Sequence, residues 1–276
     1  MDRRLHRPLF RALPWLLAAA ASLANPAWAR DAQPCEPALL SGIAQQLGQK
    51  GWQQPSYDSE GPLVAAACKR WPDDARQSVV ALAYDSDSDS DTSGGTPGER
   101  LLHLLVARVD SASGRILERH EGNLEEDALL EISADSLWLD TARYRLAKDV
   151  RAFGVVISSQ GRGPSCPDAG MFDELTLFVP GEAATLRPVF TGYLREWITV
   201  QGTRCVNNDR FRSEHARMTL AIGPKSSHGF ADLILSAQVS DDDDKPLRTV
   251  KKTLQYDGKT YPYSSSDTFW GTLSVD

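Results

Sequence analysis

The sequence predicts a mainly β protein: an antiparallel sandwich, or a barrel-like or propeller-like stack of hairpins, with one α-helix at its N-terminal end. Two observations predict this class. After residue 62 the apolar residues largely follow a period of two, which is the period of a strand. Clusters of Gly, Pro, Asp and Ser also recur every one to two dozen residues or so, as turns between strands do. Many short strands joined by such turns favour antiparallel pairing.

Only the segment before these strands has a helical pattern. Its apolar residues recur at i, i+1, i+4 and i+8, namely Leu39, Leu40, Ile43 and Leu47. Pro37 falls in the first turn and Gly51 comes just after the last residue, as at many helix ends. The pattern therefore predicts one amphipathic helix from Pro37 to Lys50.

Twelve strands follow in the prediction. They are 63–68, 78–84, 101–109, 115–120, 137–140, 152–158, 175–179, 186–198, 218–222, 231–239, 250–256 and 260–263. Turn residues predict hairpins at 110–114, 180–182 and 257–258, and Asp257-Gly258 is the strongest of these signals. A seven-residue loop is predicted at 223–229, and a charged turn at 241–244.

The first 29 residues have the three-part layout of an export signal. Residues 1–7 are basic, residues 12–24 are apolar and short, and small residues occupy 27 and 29. We expect cleavage between Ala29 and Arg30. The apolar run is too short for a membrane-spanning helix, which needs about 20 residues, so the sequence predicts a soluble periplasmic or secreted protein.

Four cysteines follow the signal, at positions 35, 68, 166 and 205. None belongs to a C-x-x-C pair or has a histidine at zinc-ligand spacing. In an oxidising compartment an even number of cysteines predicts disulfides. Three pairings are open, and we favour Cys35–Cys68 with Cys166–Cys205. Each would stabilise the fold by about 3–4 kcal/mol in the chain-entropy model.

The charge of the chain limits the classes of partner. The net charge is −7, and removal of residues 1–29 takes away four arginines and one aspartate, which makes it −10. Such a surface disfavours nucleic acid and anionic lipid, and it attracts cations. We expect a protein or small-molecule ligand, no nucleic acid, no membrane span and no cofactor.

The region 85–98 is acidic and low in complexity, and we expect it to be a flexible loop. Asp85, Asp87 and Asp89 alternate with serine, which makes them weak candidates for calcium binding. A calcium loop needs Gly at its sixth position and Glu at its twelfth, and counting from Asp85 these are Ser90 and Thr96.

No catalytic motif stands out in the sequence. There is no H-E-x-x-H and no G-x-S-x-G, and His228 beside Ser226 and Ser227 is the one Ser–His neighbourhood noted. His103 lies inside an apolar run and is expected in the core. Further observations are the acidic clusters at 125–127 and 173–174, expected at solvated strand ends, and five tryptophans, expected in the core.

Three segments are typical of hairpin-rich exported proteins: 175–181, 229–235 and 254–261. The stretch Gly229-Phe230-Ala231-Asp232-Leu233-Ile234-Leu235 resembles the end of an FG-GAP-type blade repeat. This resemblance covers about a tenth of the chain and implies only a strand–turn–strand architecture. As a whole, the chain resembles uncharacterised exported proteins of proteobacteria, a resemblance that implies no activity.

These observations favour a non-catalytic periplasmic binding protein, such as an inhibitor or scavenger of a basic partner like a lysozyme. One alternative is a hydrolase of an envelope polymer, with carboxylates brought together from distant strands. Another is a calcium-binding structural module. The sequence also indicates one mainly β domain over 30–276, with a loose tail from 264.

Overall fold

A computed structural model describes residues 31–57, 61–85, 96–205, 211–264 and 268–271. The predicted signal and most of the acidic loop lie outside these ranges. The described residues from Ala32 onward form one compact unit. Within the described residues there are one helix and eleven strands: α1 Pro37–Gln46, β1 Leu63–Arg70, β2 Gln77–Tyr84, β3 Leu101–Asp110, β4 Ile116–Glu125, β5 Leu137–Ala147, β6 Val150–Ile157, β7 Ala169–Pro180, β8 Leu186–Gln201, β9 Arg212–Ser227, β10 Phe230–Ser240 and β11 Pro246–Leu254. The predicted mainly β class with one N-terminal helix is confirmed.

The helix is four residues shorter than predicted. It ends at Gln46, and Gly48 then adopts a left-handed conformation with φ 71°, which glycine reaches without strain. Its buried residues are Leu39, Leu40, Ile43 and Ala44, so the predicted apolar face is the one that packs.

The chain folds into two antiparallel sheets. The small sheet has the order β1-β2-β3-β4, and one of its faces packs on α1. Its other face packs on part of the large sheet, where Val79, Leu102 and Val106 meet Leu139 and Phe178. The small sheet therefore lies between the helix and the large sheet, which explains the nearly continuous apolar run of β2.

The large sheet has the order β11-β10-β9-β8-β7-β6-β5 and curls into a half-barrel. Its concave face forms the largest core, which includes Leu175, Leu177, Leu233 and Leu235. Along β8 and β9 the side chains alternate between this core and the opposite, outer face. The small sheet covers part of that outer face and leaves the rest to polar side chains.

The connection between β9 and β10 differs from the prediction. Residues 223–227 belong to β9, and only His228 and Gly229 form the turn, both with positive φ (47° and 87°). A two-residue turn with two positive φ angles matches the right-handed twist of the flanking strands. The predicted loop 223–229 is therefore wrong, because its polar residues lie on an exposed strand end.

The last predicted strand is also wrong. Asp257 does begin a turn, and its backbone N–H donates to the Thr260 carbonyl at 3.0 Å. The chain after it does not pair as a strand but crosses the half-barrel, where the backbone N–H of Tyr261 donates to Val189 at 2.7 Å. Trp270 is 1% exposed, so the expected loose tail does not hold for residues 268–271.

Two disulfides join Cys35 to Cys68 and Cys166 to Cys205, which confirms the favoured pairing. The first ties the segment before α1 to β1 of the small sheet. The second connects the segment before β7 to the one after β8. In the described part of the chain no helix is long and apolar enough to cross a bilayer.

Candidate functional site

The helix covers part of its face of the small sheet, and beyond it the face continues with the buried Tyr84, the partly exposed His103 and exposed acidic side chains. Cross-strand pairing places Tyr84, His103 and Asn123 in one row, with Leu101 and Glu125 in the next row outward. Glu121 lies on the same face, since it is two residues from Asn123. We call these six residues the Tyr84 face: Tyr84, Leu101, His103, Glu121, Asn123 and Glu125.

Three rings are in contact along this face. Trp52, from the segment after α1, lies 5.0 Å from Tyr84 between ring centroids, and His103 stacks on Tyr84 at 5.3 Å. Burial and the nearby Glu121 carboxylate raise the pKa of the Tyr84 hydroxyl, so Tyr84 stays neutral at physiological pH. The ring of Tyr84 and the exposed carboxylate of Glu121 are therefore neighbours on this face.

The acidic residues of this face lie on an edge strand. Among the described strands, β4 pairs with β3 on one side, and on the other Arg119 lies opposite Thr185 of the β7–β8 turn and donates its backbone N–H to the Ala184 carbonyl at 3.1 Å. Residues 121–125 lie beyond that contact. The side chain of Glu121 is 52% exposed and is 3.4 Å from the Arg119 guanidinium. An edge strand of this kind offers backbone donors and acceptors to another chain.

The structure leaves the calcium candidates untested. Asp87 and Asp89 lie outside the described residues, and the backbone N–H of Asp85 donates to the Pro62 carbonyl at 2.7 Å. Among the residues with described positions, no three His, Cys, Asp or Glu side chains are grouped as a metal site.

The predicted Ser–His neighbourhood does not form a Ser–His pair. The Nδ1–H of His228 donates to the Tyr256 carbonyl at 2.8 Å, and Ser227 Oγ donates to Asp232 at 2.7 Å. His228 instead lines a shallow groove of about 500 Å³ with Lys252 and Asp257.

The structure brings together a different set of triad residue types, which the sequence reasoning missed. Ser213 and His215 lie two residues apart on β9, and Asp242 reaches them from the turn between β10 and β11. Ser213 Oγ is 3.0 Å from His215 Nε2 and also donates to Asp242, which is 3.4 Å from the same Nε2. The S-x-H spacing on a strand, which puts both side chains on one face, was the signal that could have found them.

This cluster is not connected as a catalytic relay. In a relay the carboxylate binds Nδ1 of the histidine while the serine hydroxyl binds Nε2. Here both groups approach Nε2, and the serine proton goes to Asp242 instead of to a base. Burial raises the pKa of Asp242, but the hydrogen bonds from Ser213 outweigh this and hold it below its usual value. The cluster therefore anchors the β10–β11 turn to β9.

The acidic clusters at 125–127 and 173–174 were expected at solvated strand ends, but each has one buried member. Glu126 is buried and accepts two bonds from Arg100, at 2.6 and 2.8 Å. Asp173 is also buried and accepts from Arg195 Nε at 2.5 Å. Four of the five tryptophans that follow the predicted signal are buried, namely Trp52, Trp71, Trp197 and Trp270. These groups hold the fold together.

No protein-family model, curated protein or solved structure matches this chain. The assignment of a function therefore depends on the chemistry of its own surfaces.

Proposed function

We propose that the protein is a non-catalytic, exported interaction protein that binds a basic, extended segment of a partner protein along β4 and the Tyr84 face. The observation that carries this proposal is the edge position of Glu121 and Glu125 next to the stacked rings of Tyr84 and His103. The partner would add a strand to the small sheet, with alternate side chains directed onto this face.

Lysine and arginine side chains match this surface in two ways. Their charged ends can pair with the exposed carboxylates of Glu121 and Glu125, and their methylene stems can lie against the partly exposed ring of His103. The net charge of −7 would favour the approach of a cationic partner, and the exposed carboxylates of β4 would attract it locally.

Export is part of the same proposal, and the two disulfides support it because they persist in oxidising compartments. N-terminal sequencing of the protein from the periplasm of an expressing cell is expected to begin at Arg30. Recovery from the cytosol with Met1 intact and all four thiols reduced would contradict export.

A labelled lysine-rich peptide and a basic protein such as a lysozyme test the binding proposal. We expect both to bind at low salt and to be released at high salt, because screening weakens exposed ion pairs. The double variant E121Q/E125Q should weaken binding about three- to tenfold, since each exposed pair contributes up to about 1 kcal/mol.

The matched control is D149N, which removes an exposed carboxylate from the turn between β5 and β6 of the large sheet. D149N is expected to bind like the wild type. The proposal is wrong if neither basic probe binds at low salt, or if D149N weakens binding as much as E121Q/E125Q does.

A further inference from the structure

Three arginines gather on the uncovered part of the outer face of the large sheet. Pairing across β7, β8 and β9 places Phe172, Arg195 and Arg217 in one row. The adjacent row holds Gly170, Trp197 and His215, and Arg204 from the segment after β8 lies over Trp197. We call this group, which includes the buried Trp197 and the overlying Arg204, the arginine strip: Phe172, Arg195, Trp197, Arg204, His215 and Arg217.

Two of these arginines are directly opposite each other on neighbouring strands. Arg195 pairs with Arg217, so their Cβ atoms are about 5 Å apart on one face, where like charges destabilise a sheet. Nearby carboxylates compensate this repulsion only in part. Arg195 binds Asp173 through Nε and stays 58% exposed, while Arg217 is 3.7 Å from Asp244 and 70% exposed. A sheet keeps such a pair at a cost in stability.

Aromatic rings fix the orientation of the guanidinium groups. Arg204 lies 4.1 Å from the centre of the Trp197 ring and 5.3 Å from that of Phe211. Arg195 lies 5.6 Å from the ring of Phe172. Trp197 can lie flat on the sheet because residue 170 is glycine: a Cβ there would be 2.2 Å from Trp197 Nε1. Stacking holds a guanidinium plane and leaves its N–H edge to a ligand.

We infer that the arginine strip is a binding site for a phosphate-bearing anion. A carboxylate has two oxygens and fills one guanidinium fork, whereas a phosphate has three or four and can accept from two opposed arginines at once. The opposed arginines are then stabilised by the ligand that they share.

This site is separate from the one proposed for a basic partner, because it lies on the large sheet and has the opposite charge. The two proposals therefore succeed or fail independently. A strip that binds phosphate is also not expected from the composition, since the chain carries a net charge of −7.

Titration of the oxidised protein with tripolyphosphate, followed by isothermal calorimetry and by backbone NMR shifts, tests the inference. We expect saturable binding, with the largest shifts at residues 195, 197, 204, 215 and 217. R217Q should weaken it about tenfold, as expected for the loss of one charged hydrogen-bond donor. R217Q gives up one long contact of an exposed side chain and removes the repulsion with Arg195, so it is expected to fold with a melting temperature at or above that of the wild type.

The matched control is R143Q, which removes an exposed arginine from β5 and should bind like the wild type. Citrate, with three carboxylates, separates phosphate recognition from general anion binding and is expected to bind more weakly. The inference is overturned if tripolyphosphate causes no shifts on the strip, or if R217Q and R143Q bind equally. Equal affinity for citrate would overturn the assignment to phosphate.

Discussion

Replacing Trp270 with phenylalanine tests how the C-terminal segment is held in the half-barrel. The Trp270 indole is 1% exposed and donates through Nε1 to Glu196 Oε2 at 2.6 Å. Its backbone carbonyl accepts from Arg248 at 2.7 Å, a bond that the substitution keeps. Glu196 is also buried, and its other oxygen has no hydrogen-bond partner among the described residues. W270F therefore leaves a buried carboxyl group with neither oxygen bonded.

The expected loss has two parts. The smaller ring leaves a cavity that costs about 1 kcal/mol at any pH. The unpaired carboxylate costs a further 1–3 kcal/mol or so, but only while it is charged. Burial raises the pKa of Glu196, and the Trp270 bond opposes that rise, so the variant should bind its proton even more tightly. A raised pKa in the folded state stabilises the fold at low pH, and this stabilisation is lost as pH rises through that pKa.

Urea unfolding followed by circular dichroism at pH 4.5 and pH 8 measures both parts. We expect W270F to lose about 2–4 kcal/mol at pH 8 and clearly less at pH 4.5. The control is W52F, because Trp52 is 7% exposed and its Nε1 has no hydrogen-bond partner in the described residues. The stability loss of W52F should not depend on pH. Equal losses for W270F at the two pH values would refute the reasoning, as would an unchanged W270F defect in an E196Q background.

Three further predictions concern stability. R100M should lose about 3 kcal/mol in urea unfolding at neutral pH, because it leaves the fully buried Glu126 side chain without its cation; R108M, at a more exposed pair, should lose less. Burial by itself raises the pKa of Glu126, but the bonds from Arg100 and nearby backbone N–H groups keep it below its usual value. The stability loss of R100M should therefore shrink as pH falls below the ordinary glutamate pKa. A loss that stays constant with pH would contradict this. G170A should lower stability by about 1–3 kcal/mol and change tryptophan fluorescence, whereas G122A, whose Cβ would be 3.6 Å from its nearest neighbour, should do neither. C35S/C68S should lose about 3–4 kcal/mol by the same urea measurement, and a loss below 1 kcal/mol or so would show that loop closure contributes little here.

The local elements could be predicted from the sequence, because each rests on a short pattern. The apolar spacing of residues 39–47 identified the buried face of α1, and Asp110 to Gly114 identified a hairpin. The His228-Gly229 turn was missed because the polar residues before it suggest a loop, while hydrogen bonds to β10 keep them in a strand. The segment after Asp257 was misassigned because a turn signal does not specify whether the next segment pairs or crosses a core.

The surfaces could not be predicted in the same way, because they depend on strand register. Arg195 and Arg217 are 22 residues apart in sequence and become neighbours only when β8 pairs with β9. Asp242 reaches Ser213 from another hairpin. A one-residue slip in either pairing would move these side chains to the opposite face. Short-range motifs contain no such information.

Net charge was a poor guide to these surfaces for a physical reason. A sum over the chain treats charges as equivalent, whereas screening confines the influence of an exposed charge to about 8–10 Å. A partner at β4 therefore meets Glu121 and Glu125, and a ligand at β8 and β9 meets Arg195 and Arg217, whatever the total is. It follows that E121Q/E125Q should leave tripolyphosphate binding unchanged. R217Q should likewise leave binding of the lysine-rich peptide unchanged. A variant at one surface that alters binding at the other would show that the sheets between them transmit a change.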